Sequence, residues 1–563
     1  MSNRTAGVIE PASFTTRVQS AAARLTQQRV LERLFAKDST LWSSDAEMQR
    51  AIRNRLGWLT ILPVMEQRLD EILEFARQVR QAGFTHALLL GMGGSSLFPE
   101  VCRWTFGISP GWLDLLILDT TDPSAILAAQ RRAPLDRTLF LVSSKSGSTP
   151  EVNALCEYFY DQVQAIRGQA AGEQFVAITD VGTSLEALAA QRAFRAVFSH
   201  GPTTGQDVGG RFSAVTCFGL VPAALMGIDV RRLLEQEMQM LARCRSDTPA
   251  ADNPAAQLGL TLHEAYSQGR DKVTLAPSST LARFSAWAEQ LLAESTGKCG
   301  QGLVPVDGEP VRSASAYPSD RLFVELQLAS KPDEPLARHI EACARAGHPT
   351  IRFQWQDVYE LGGEAVRWFL ATAIAAWAME INPFDEPNVQ ESKDRTKEML
   401  ARYVTAGAFP VEPPPIGDHA DAVTKFLRQA REGDYLALLS FLPRTPEIDQ
   451  AVDSLRTQLA QRLSIATTLG YGPRYLHSSG QLHKGGSDRG LFLVLTADDP
   501  LDVAIPGTPY TFGVLKQAQA LGDVQALTAH QRRVLRVHFG AEPLAALRQL
   551  TRAITKHQIP STK

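Results

Sequence analysis

A hydroxyl-rich stretch, Ser143 to Thr149, has the composition of an anion-binding loop. It carries five hydroxyl side chains, one lysine and one glycine directly before a predicted helix. Hydroxyls and unpaired backbone N–H groups at a helix N-terminus can surround an anion, and the helix dipole adds ~0.3–1 kcal/mol. An ordinary serine-rich cap and turn is the alternative interpretation. The residues that we expect to bind a phosphate, with the lysine balancing its charge, are Ser144, Lys145, Ser146, Ser148 and Thr149.

A second loop, Gly91 to Ser96, is glycine-rich, so a ligand can approach its backbone closely, and we expect Gly94 and Ser95 to contact the ligand. The loop also half-matches a dinucleotide-binding fingerprint, with Ser96 at the third glycine position and Asp119 in place of the ribose-binding acid. A nicotinamide site would leave the hydroxyl-rich loop unexplained. The sequence contains no G-x-x-x-x-G-K-[ST] motif, which argues against a nucleoside-triphosphate site.

Both loops follow short apolar runs, Thr85 to Leu90 and Thr138 to Val142, which we predict to be buried strands. Buried strands that alternate with helices are typical of a parallel, doubly wound α/β sheet, which binds ligands beyond the carboxyl ends of its strands. The same pattern begins again at Lys272 and a third time after a proline-rich linker. The predicted fold class is α/β, with two doubly wound parallel-sheet domains and a third α/β segment.

The expected organisation has five parts. They are an N-terminal helical segment at 1–55, a first α/β domain at 56–245, a second at 246–406, a proline-rich linker at 407–418 and a C-terminal α/β segment at 419–563.

Composition excludes several classes of protein. A net charge of −3 argues against a nucleic-acid-binding protein, and six cysteines without a C-x-x-C pair argue against a zinc site or a disulfide framework. The longest apolar stretch, Trp368 to Met379, is too short to cross a bilayer and is predicted to be a buried helix. The N-terminus lacks the apolar core of a signal peptide. We therefore expect a cytoplasmic protein without membrane or nucleic-acid partners.

Four further segments, together with the two loops, resemble the sugar-isomerase (SIS) domain family and, within it, the phosphoglucose isomerases. The resemblance extends roughly from Leu56 to the C-terminus, and the last segment is similar to the isomerase half of bifunctional transaldolase–isomerase fusions. A transaldolase activity is not expected, because the chain before the first sheet is too short for a barrel of roughly 250 residues. The four segments are Asp207 to Ser213, Gln290 to Lys298, Asn382 to Lys393 and Leu469 to Gly486.

The resemblance implies specific roles and a reaction, the interconversion of glucose 6-phosphate and fructose 6-phosphate without metal or cofactor. Glu294 would be the catalytic base, with Gln290 lining the pocket. Arg211 would face the reacting carbons, and Lys393 would contact the ring and chain oxygens of the sugar. Glu386 stands where the family often has glutamine. Without the motifs, Glu294, Arg211 and Lys393 would be interpreted as ordinary surface charges.

These residue types suit an aldose–ketose isomerisation, which moves a proton between adjacent carbons through an enediolate. A carboxylate can carry that proton if partial burial raises its pKa towards neutrality. Glu294 ends an apolar helical stretch, so such burial is expected. A fixed cation opposite the developing oxyanion, here Arg211, lowers the barrier by ~3–4 kcal/mol.

The match departs from the family at ring opening. The family's histidine after the base is missing from the corresponding stretch, Tyr317 to Phe323. We hypothesise that His477 or His483, in the C-terminal segment, supplies this group. A structural or solvated histidine is the alternative for each.

Two rival functions stay open at this stage. One is a non-catalytic sugar-phosphate sensor, which would need none of Glu294, Arg211 and Lys393. The other is an isomerase that also accepts mannose 6-phosphate, which would differ only in pocket shape. Because relatives are often dimers, a homodimer is one expected assembly. The other is a monomer, in which the C-terminal segment replaces the partner subunit.

Overall fold

The structure, a computed structural model, describes residues 7–199, 208–409 and 419–556. The strands described form three sheets. They are β1 (Val8–Glu10), β2 (His86–Gly91), β3 (Asp114–Leu118), β4 (Thr138–Ser143), β5 (Phe175–Ile178), β6 (Ala196–Phe198), β7 (Lys272–Pro277), β8 (Val304–Val306), β9 (Arg321–Leu328), β10 (Thr350–Trp355), β11 (Tyr435–Phe441), β12 (Ala466–Tyr471), β13 (Gly490–Thr496) and β14 (Arg533–His538).

Helices cover the sheets and join them. They are α1 (Ala12–Gln27), α2 (Val30–Phe35), α3 (Ala46–Asn54), α4 (Leu62–Gln81), α5 (Leu97–Phe106), α6 (Pro123–Arg132), α7 (Pro150–Arg167), α8 (Ser184–Gln191), α9 (Cys217–Leu225), α10 (Val230–Arg243), α11 (Pro254–Ser267), α12 (Phe284–Thr296), α13 (Glu334–Arg345), α14 (Glu360–Ala378), α15 (Pro387–Ala406), α16 (His419–Leu427), α17 (Pro446–Arg462), α18 (Gly480–Gly485), α19 (Phe512–Ala529) and α20 (Pro543–Lys556).

The first sheet has the order β3-β2-β4-β5-β6, with all strands parallel. The direction of winding therefore reverses between β2 and β4, which is where open parallel sheets bind ligands. Gly91 pairs with Ser143 at the ends of these two strands. The glycine-rich loop and the hydroxyl-rich loop therefore begin side by side.

The second sheet has the order β1-β10-β9-β7-β8 and the third has the order β12-β11-β13-β14. All of their strand pairs are parallel except that of β1 with β10. The predicted class, α/β with parallel sheets, is confirmed. The apolar runs Thr350–Trp355, Tyr435–Phe441 and Gly490–Thr496 are also predicted from the sequence to be strands, and β10, β11 and β13 have these bounds. A buried parallel strand is a nearly continuous apolar run, so its ends are visible in the sequence.

The sequence did not indicate two short strands, β1 and β6. Val8–Glu10 pairs antiparallel with β10, so the segment at 1–55, which was predicted to be helical, also contributes one short strand. Three residues are too few to show the alternation that marks a strand. Two predicted features lie outside the described residues. They are most of the predicted linker, residues 410–418, and Asp207, the first residue of the segment from Asp207 to Ser213.

Helix α14 lies in the core, where nearly every residue from Leu361 to Trp377 is buried. It packs against α10, α11 and α12, and α12 is the helix that carries Glu294. The apolar stretch that was predicted to be a buried helix therefore supports the candidate site. Among the described residues, no helix is both long enough and apolar enough to cross a membrane.

One carboxyl group in this core, that of Glu237 in α10, has no described hydrogen-bond partner on either oxygen, and burial raises its pKa well above the usual range. The unfolded chain would ionise it at its ordinary pKa, whereas the folded chain keeps it protonated to higher pH. Its contribution to stability is therefore complete below the unfolded pKa and is lost as pH rises through the folded pKa. We expect the stability of Glu237→Gln, relative to the unsubstituted protein, to increase progressively as pH rises above the ordinary glutamate pKa of about 4.3, measured as thermal midpoints. A difference that does not change with pH would contradict this.

Candidate active site

The hydroxyl-rich loop forms a tight turn before α7. The Ser144 hydroxyl donates to Thr149 Oγ1 at 3.0 Å, and the Ser148 N–H donates to Ser146 Oγ at 3.3 Å. Gly147 has a φ of +65°, and a Cβ there would lie 2.7 Å from the Thr183 side chain. Ser146 and Ser148 are exposed, as the binding of an anion from solvent requires.

Lys145 of the same loop forms an ion pair. Its Nζ lies 2.6 Å from Asp180 Oδ2, and its side chain is 15% exposed. A phosphate bound by this loop would therefore share the ammonium group with Asp180. The charge-balancing role of Lys145 stays a prediction.

The glycine-rich loop is the point where three of the predicted segments meet. A Cβ on Gly94 would lie 2.0 Å from the carbonyl oxygen of Gly210, the residue before Arg211. A Cβ on Gly93 would lie 2.8 Å from both Gln290 Nε2 and the His477 carbonyl oxygen. Only glycine permits these approaches. The glycine-rich loop therefore contacts the segments that carry Arg211, Gln290 and His477. Ser95 takes part through its carbonyl oxygen, which accepts from Ser143 Oγ at 3.1 Å.

Substitution at Gly94 should therefore disturb the site rather than the fold as a whole. We expect Gly94→Ala to displace the Gly210–Arg211 backbone. A misplacement of the arginine by about 1 Å should lower kcat/KM of the expected isomerase reaction by about 10²-fold. Gly210→Ala is the matched control, because a Cβ there meets nothing within 4 Å. Steady-state kinetics of the two variants test this, and equal losses of activity would contradict it.

The predicted base and the predicted cation are in contact and buried. Arg211 Nη1 lies 3.1 Å from Glu294 Oε1 and 3.0 Å from Glu386 Oε2. The Arg211 side chain is 2% exposed and that of Glu294 is 9% exposed. The expectation that Glu294 would be buried by its apolar helix is confirmed.

Each nitrogen of the Arg211 guanidinium group has a described hydrogen-bond partner. Its Nε donates to Ser295 Oγ at 2.8 Å, and its Nη2 donates to the carbonyl oxygens of Pro383 and Asp385 at 2.5 Å and 3.0 Å. These contacts connect the arginine segment to the segments that carry Glu294 and Glu386. The guanidinium group is therefore fixed next to the base before any ligand arrives, which is the preorganisation that charge stabilisation needs.

The electrostatics of the two carboxylates differ. Burial raises the pKa of Glu294, Arg211 opposes this, and the neighbouring charge of Glu386 raises it further, with a net increase above the usual value. Burial also raises the pKa of Glu386, but Arg211 and Arg55 outweigh it and keep Glu386 ionised. A pKa moved towards neutrality suits a group that must both take and return a proton. The Glu386 carboxylate therefore adds to the increase in the pKa of Glu294.

Lys298 is a residue that sequence reasoning quoted in the motif but assigned no role. Its Nζ donates to the Asn382 carbonyl oxygen at 2.6 Å and to Asp385 Oδ1 at 2.7 Å. Burial, with the nearby Arg211, lowers the pKa of Lys298 to about 8. It fastens the Gln290–Lys298 segment to the loop before α15.

Gln290 connects the base to the C-terminal segment. Its Nε2 donates to Glu294 Oε2 at 3.0 Å and to the His477 carbonyl oxygen at 2.9 Å. Its Oε1 is buried and has no described hydrogen-bond partner. This free acceptor is consistent with the predicted role of Gln290 in the pocket lining.

His477 lies at the site, next to a carboxylate that sequence reasoning missed. His477 Nε2 lies 2.9 Å from Glu151 Oε1, and both side chains are largely buried. Lys393 lines a cavity of about 190 Å³ together with these two residues. Glu151 follows Thr149 by two positions, where an acid is normally interpreted as a partner of the helix dipole. No signal in the sequence distinguished Glu151 from an acid that only stabilises the helix N-terminus.

The turn that carries His477 is anchored by Arg474. Arg474 pairs with Glu100 and lies 3.1 Å from Asp119 Oδ2. Asp119 also accepts from Ser96 Oγ at 3.1 Å. The acid that resembled a ribose-binding group is thus occupied by contacts that join the glycine-rich loop to the His477 turn.

His483 is not brought to the site. Its ring lies 5.0 Å from that of Phe492 and 5.8 Å from that of Tyr475, between centroids, and the residue is buried. Burial lowers the pKa of His483 well below the usual range, with Lys484 and Arg532 adding to the effect. Of the two candidate histidines, the geometry therefore favours His477.

Comparison with known families gives a consistent match. Residues 60–313 match the family model of phosphoglucose isomerase. A glucose-6-phosphate isomerase from Synechococcus elongatus is 34% identical over 284 residues, which are 49% of this chain and 51% of the relative. One from Carboxydothermus hydrogenoformans is 27% identical over 408 residues, covering 62% of this chain and 86% of the relative. The chain thus spans about half the length of the first of these curated relatives.

Solved structures with a similar fold cover more of the chain. A hypothetical protein from Thermus thermophilus aligns with a TM-score of 0.59 and 25% identity over 70% of this chain and 100% of its own. A glucose-6-phosphate isomerase from Chlamydia trachomatis aligns with a TM-score of 0.53 and 18% identity over 69% and 86%. At that identity the second match supports the fold alone.

Proposed function

We propose that this chain, whose residues 60–313 match the phosphoglucose isomerase family, interconverts glucose 6-phosphate and fructose 6-phosphate. The observation that carries the proposal is the buried contact of 3.1 Å between the Glu294 carboxylate and the Arg211 guanidinium group. A sensor of sugar phosphates would have no use for a buried acid and a fixed cation in contact.

In the proposed mechanism the phosphate does not react. The hydroxyl-rich loop before α7 binds it, and this binding energy holds C1 and C2 of the open-chain sugar near Glu294. The carboxylate takes the proton from C2 and returns it to C1, through an enediolate. Arg211 faces the oxygen on which negative charge develops.

Ring opening is assigned to His477. The imidazolium form of His477 gives a proton to the ring oxygen while the bond between that oxygen and C1 breaks. The anomeric hydroxyl gives its proton to the imidazole, which restores the charged form. Glu151 would orient the imidazole through its contact with Nε2, as carboxylates do for catalytic histidines. Lys393, which lines the same cavity, would contact the sugar oxygens.

His477→Ala tests this assignment. We expect about a 10²–10⁴-fold lower kcat on glucose 6-phosphate, the usual contribution of a general acid–base. His483→Ala is the matched control, because it removes an imidazole from the same segment but not from the site. It should affect the thermal midpoint and leave the rate per folded molecule near that of the parent. Reversed effects of the two substitutions would end the assignment.

The direct test of the function is a coupled assay with fructose 6-phosphate, in which glucose 6-phosphate is oxidised as it forms. Binding without turnover would favour the sensor, and turnover of mannose 6-phosphate would extend the substrate range. Cytoplasmic location, a place in glycolysis and gluconeogenesis, and a homodimer stay predictions.

A further inference from the structure

The His477–Glu151 pair is the end of a longer buried chain of hydrogen bonds. Glu151 Oε1 accepts from Gln519 Nε2 at 2.7 Å, in addition to its contact with His477. Gln519 Oε1 in turn accepts from the Thr121 hydroxyl at 2.8 Å. Thr121, Gln519 and Glu151 are 0%, 2% and 4% exposed.

We propose that Gln519 is a positioning residue for ring opening, which acts by fixing the carboxylate that orients His477. This inference rests on the proposed isomerase function. Gln519 belongs to none of the sequence motifs. It lies in the middle of α19, after the last of the four segments that resemble the family.

The direction of the Gln519 amide follows from its partners. An ionised carboxylate can only accept, so the amide nitrogen must face Glu151, and the amide oxygen then accepts from the Thr121 hydroxyl. Glu151 Oε1 then has two contacts, while its Oε2 is buried without any described hydrogen-bond partner. The side-chain hydrogen bonds described for this carboxylate are therefore both on Oε1. Loss of the Gln519 donor would leave the imidazole as its one described side-chain hydrogen-bond partner.

A carboxylate held in this way keeps one tautomer of the histidine. With Glu151 Oε1 fixed, the Nε2 atom of His477 faces the acid, and Nδ1 is the ring nitrogen left for other partners. If the carboxylate turns, both the tautomer and the ring orientation become variable. The substitution should therefore slow the proton transfer at the ring oxygen and leave phosphate binding and the Glu294–Arg211 contact unchanged.

Gln519→Met tests the inference, since methionine keeps the length of the side chain and removes the amide. We expect kcat for glucose 6-phosphate to fall about 10–100-fold, the usual effect of losing an outer hydrogen-bond partner, with KM within about twofold. The exchange between the α and β anomers of glucose 6-phosphate, measured by NMR at enzyme concentrations that catalyse it, should fall by the same factor. Gln525→Met is the matched control on the same helix, because the hydrogen bond described for its amide is to the Met399 sulfur at 3.6 Å. It should leave both rates unchanged.

Thr121→Val is the second variant and guards against a folding defect in the first. It should give a smaller loss in the same two rates, and the double variant should be no slower than Gln519→Met alone, because both act through one amide. Additive losses, an unchanged kcat in Gln519→Met, or a slower isomerisation with normal anomer exchange would each overturn the inference. If the unsubstituted protein does not isomerise the sugar at all, the proposed function fails instead.

Discussion

Replacing Glu294 by glutamine should lower isomerase turnover by about 10²–10⁴-fold, while substrate binding is largely retained. The amide has the size and shape of the carboxylate but cannot accept the proton from carbon. The two carboxylate oxygens face Gln290 Nε2 and Arg211 Nη1, so the new amide oxygen keeps one of these donors and the amide nitrogen meets the other. The thermal midpoint of the variant is therefore measured beside its turnover. Turnover is measured with the coupled assay, and binding by calorimetry with fructose 6-phosphate.

The matched control for this experiment is Glu398→Gln. Glu398 is an exposed carboxylate of α15 that pairs with Arg402 and should contribute nothing to the chemistry. We also expect the acid limb of the pH profile of kcat/KM to lie above the ordinary pKa of glutamate, because burial raises the pKa of Glu294. Normal turnover in Glu294→Gln would refute the assignment of the base, whatever the pH profile.

Much of the fold was predictable because its strands are buried on both faces. Parallel strands covered by helices are apolar runs bounded by loops, so β2, β4 and β11 were visible in the sequence within one or two residues. The position of the site followed from the same argument, since the loops after β2 and β4 had to meet where the sheet changes direction. The base and the cation came from the family resemblance and not from spacing.

The parts of the site that were missed are pairings between distant segments. Glu151 contacts His477 and Gln519, which lie 326 and 368 positions away. Asp119 contacts Arg474, 355 positions away. Periodicity and local motifs describe neighbours along the chain, so they carry no information about which buried polar group will satisfy another across the fold. These pairings become visible only when each buried donor and acceptor must be assigned a partner.

The second large effect is expected at Arg211. We expect Arg211→Lys to lower kcat by about 10²–10³-fold, equivalent to ~3–4 kcal/mol of transition-state stabilisation. Lysine keeps the positive charge but is a single ammonium centre, whereas the guanidinium nitrogens contact Ser295, both glutamates and two backbone carbonyl oxygens. An ammonium group that pairs with Glu294 cannot also be held in the plane facing the sugar oxygen.

The same substitution should lower the thermal midpoint, because the carbonyl oxygens of Pro383 and Asp385 would lose their buried donor. The catalytic effect is therefore measured well below that midpoint and per folded molecule. Arg231→Lys is the matched control, since Arg231 is half-exposed and its described ion pair is with the exposed carboxylate of Asp70. If Arg211→Lys retained kcat within about tenfold, charge alone would suffice at this position. The fixed guanidinium geometry would then serve the packing of the Pro383–Asp385 backbone rather than the enediolate.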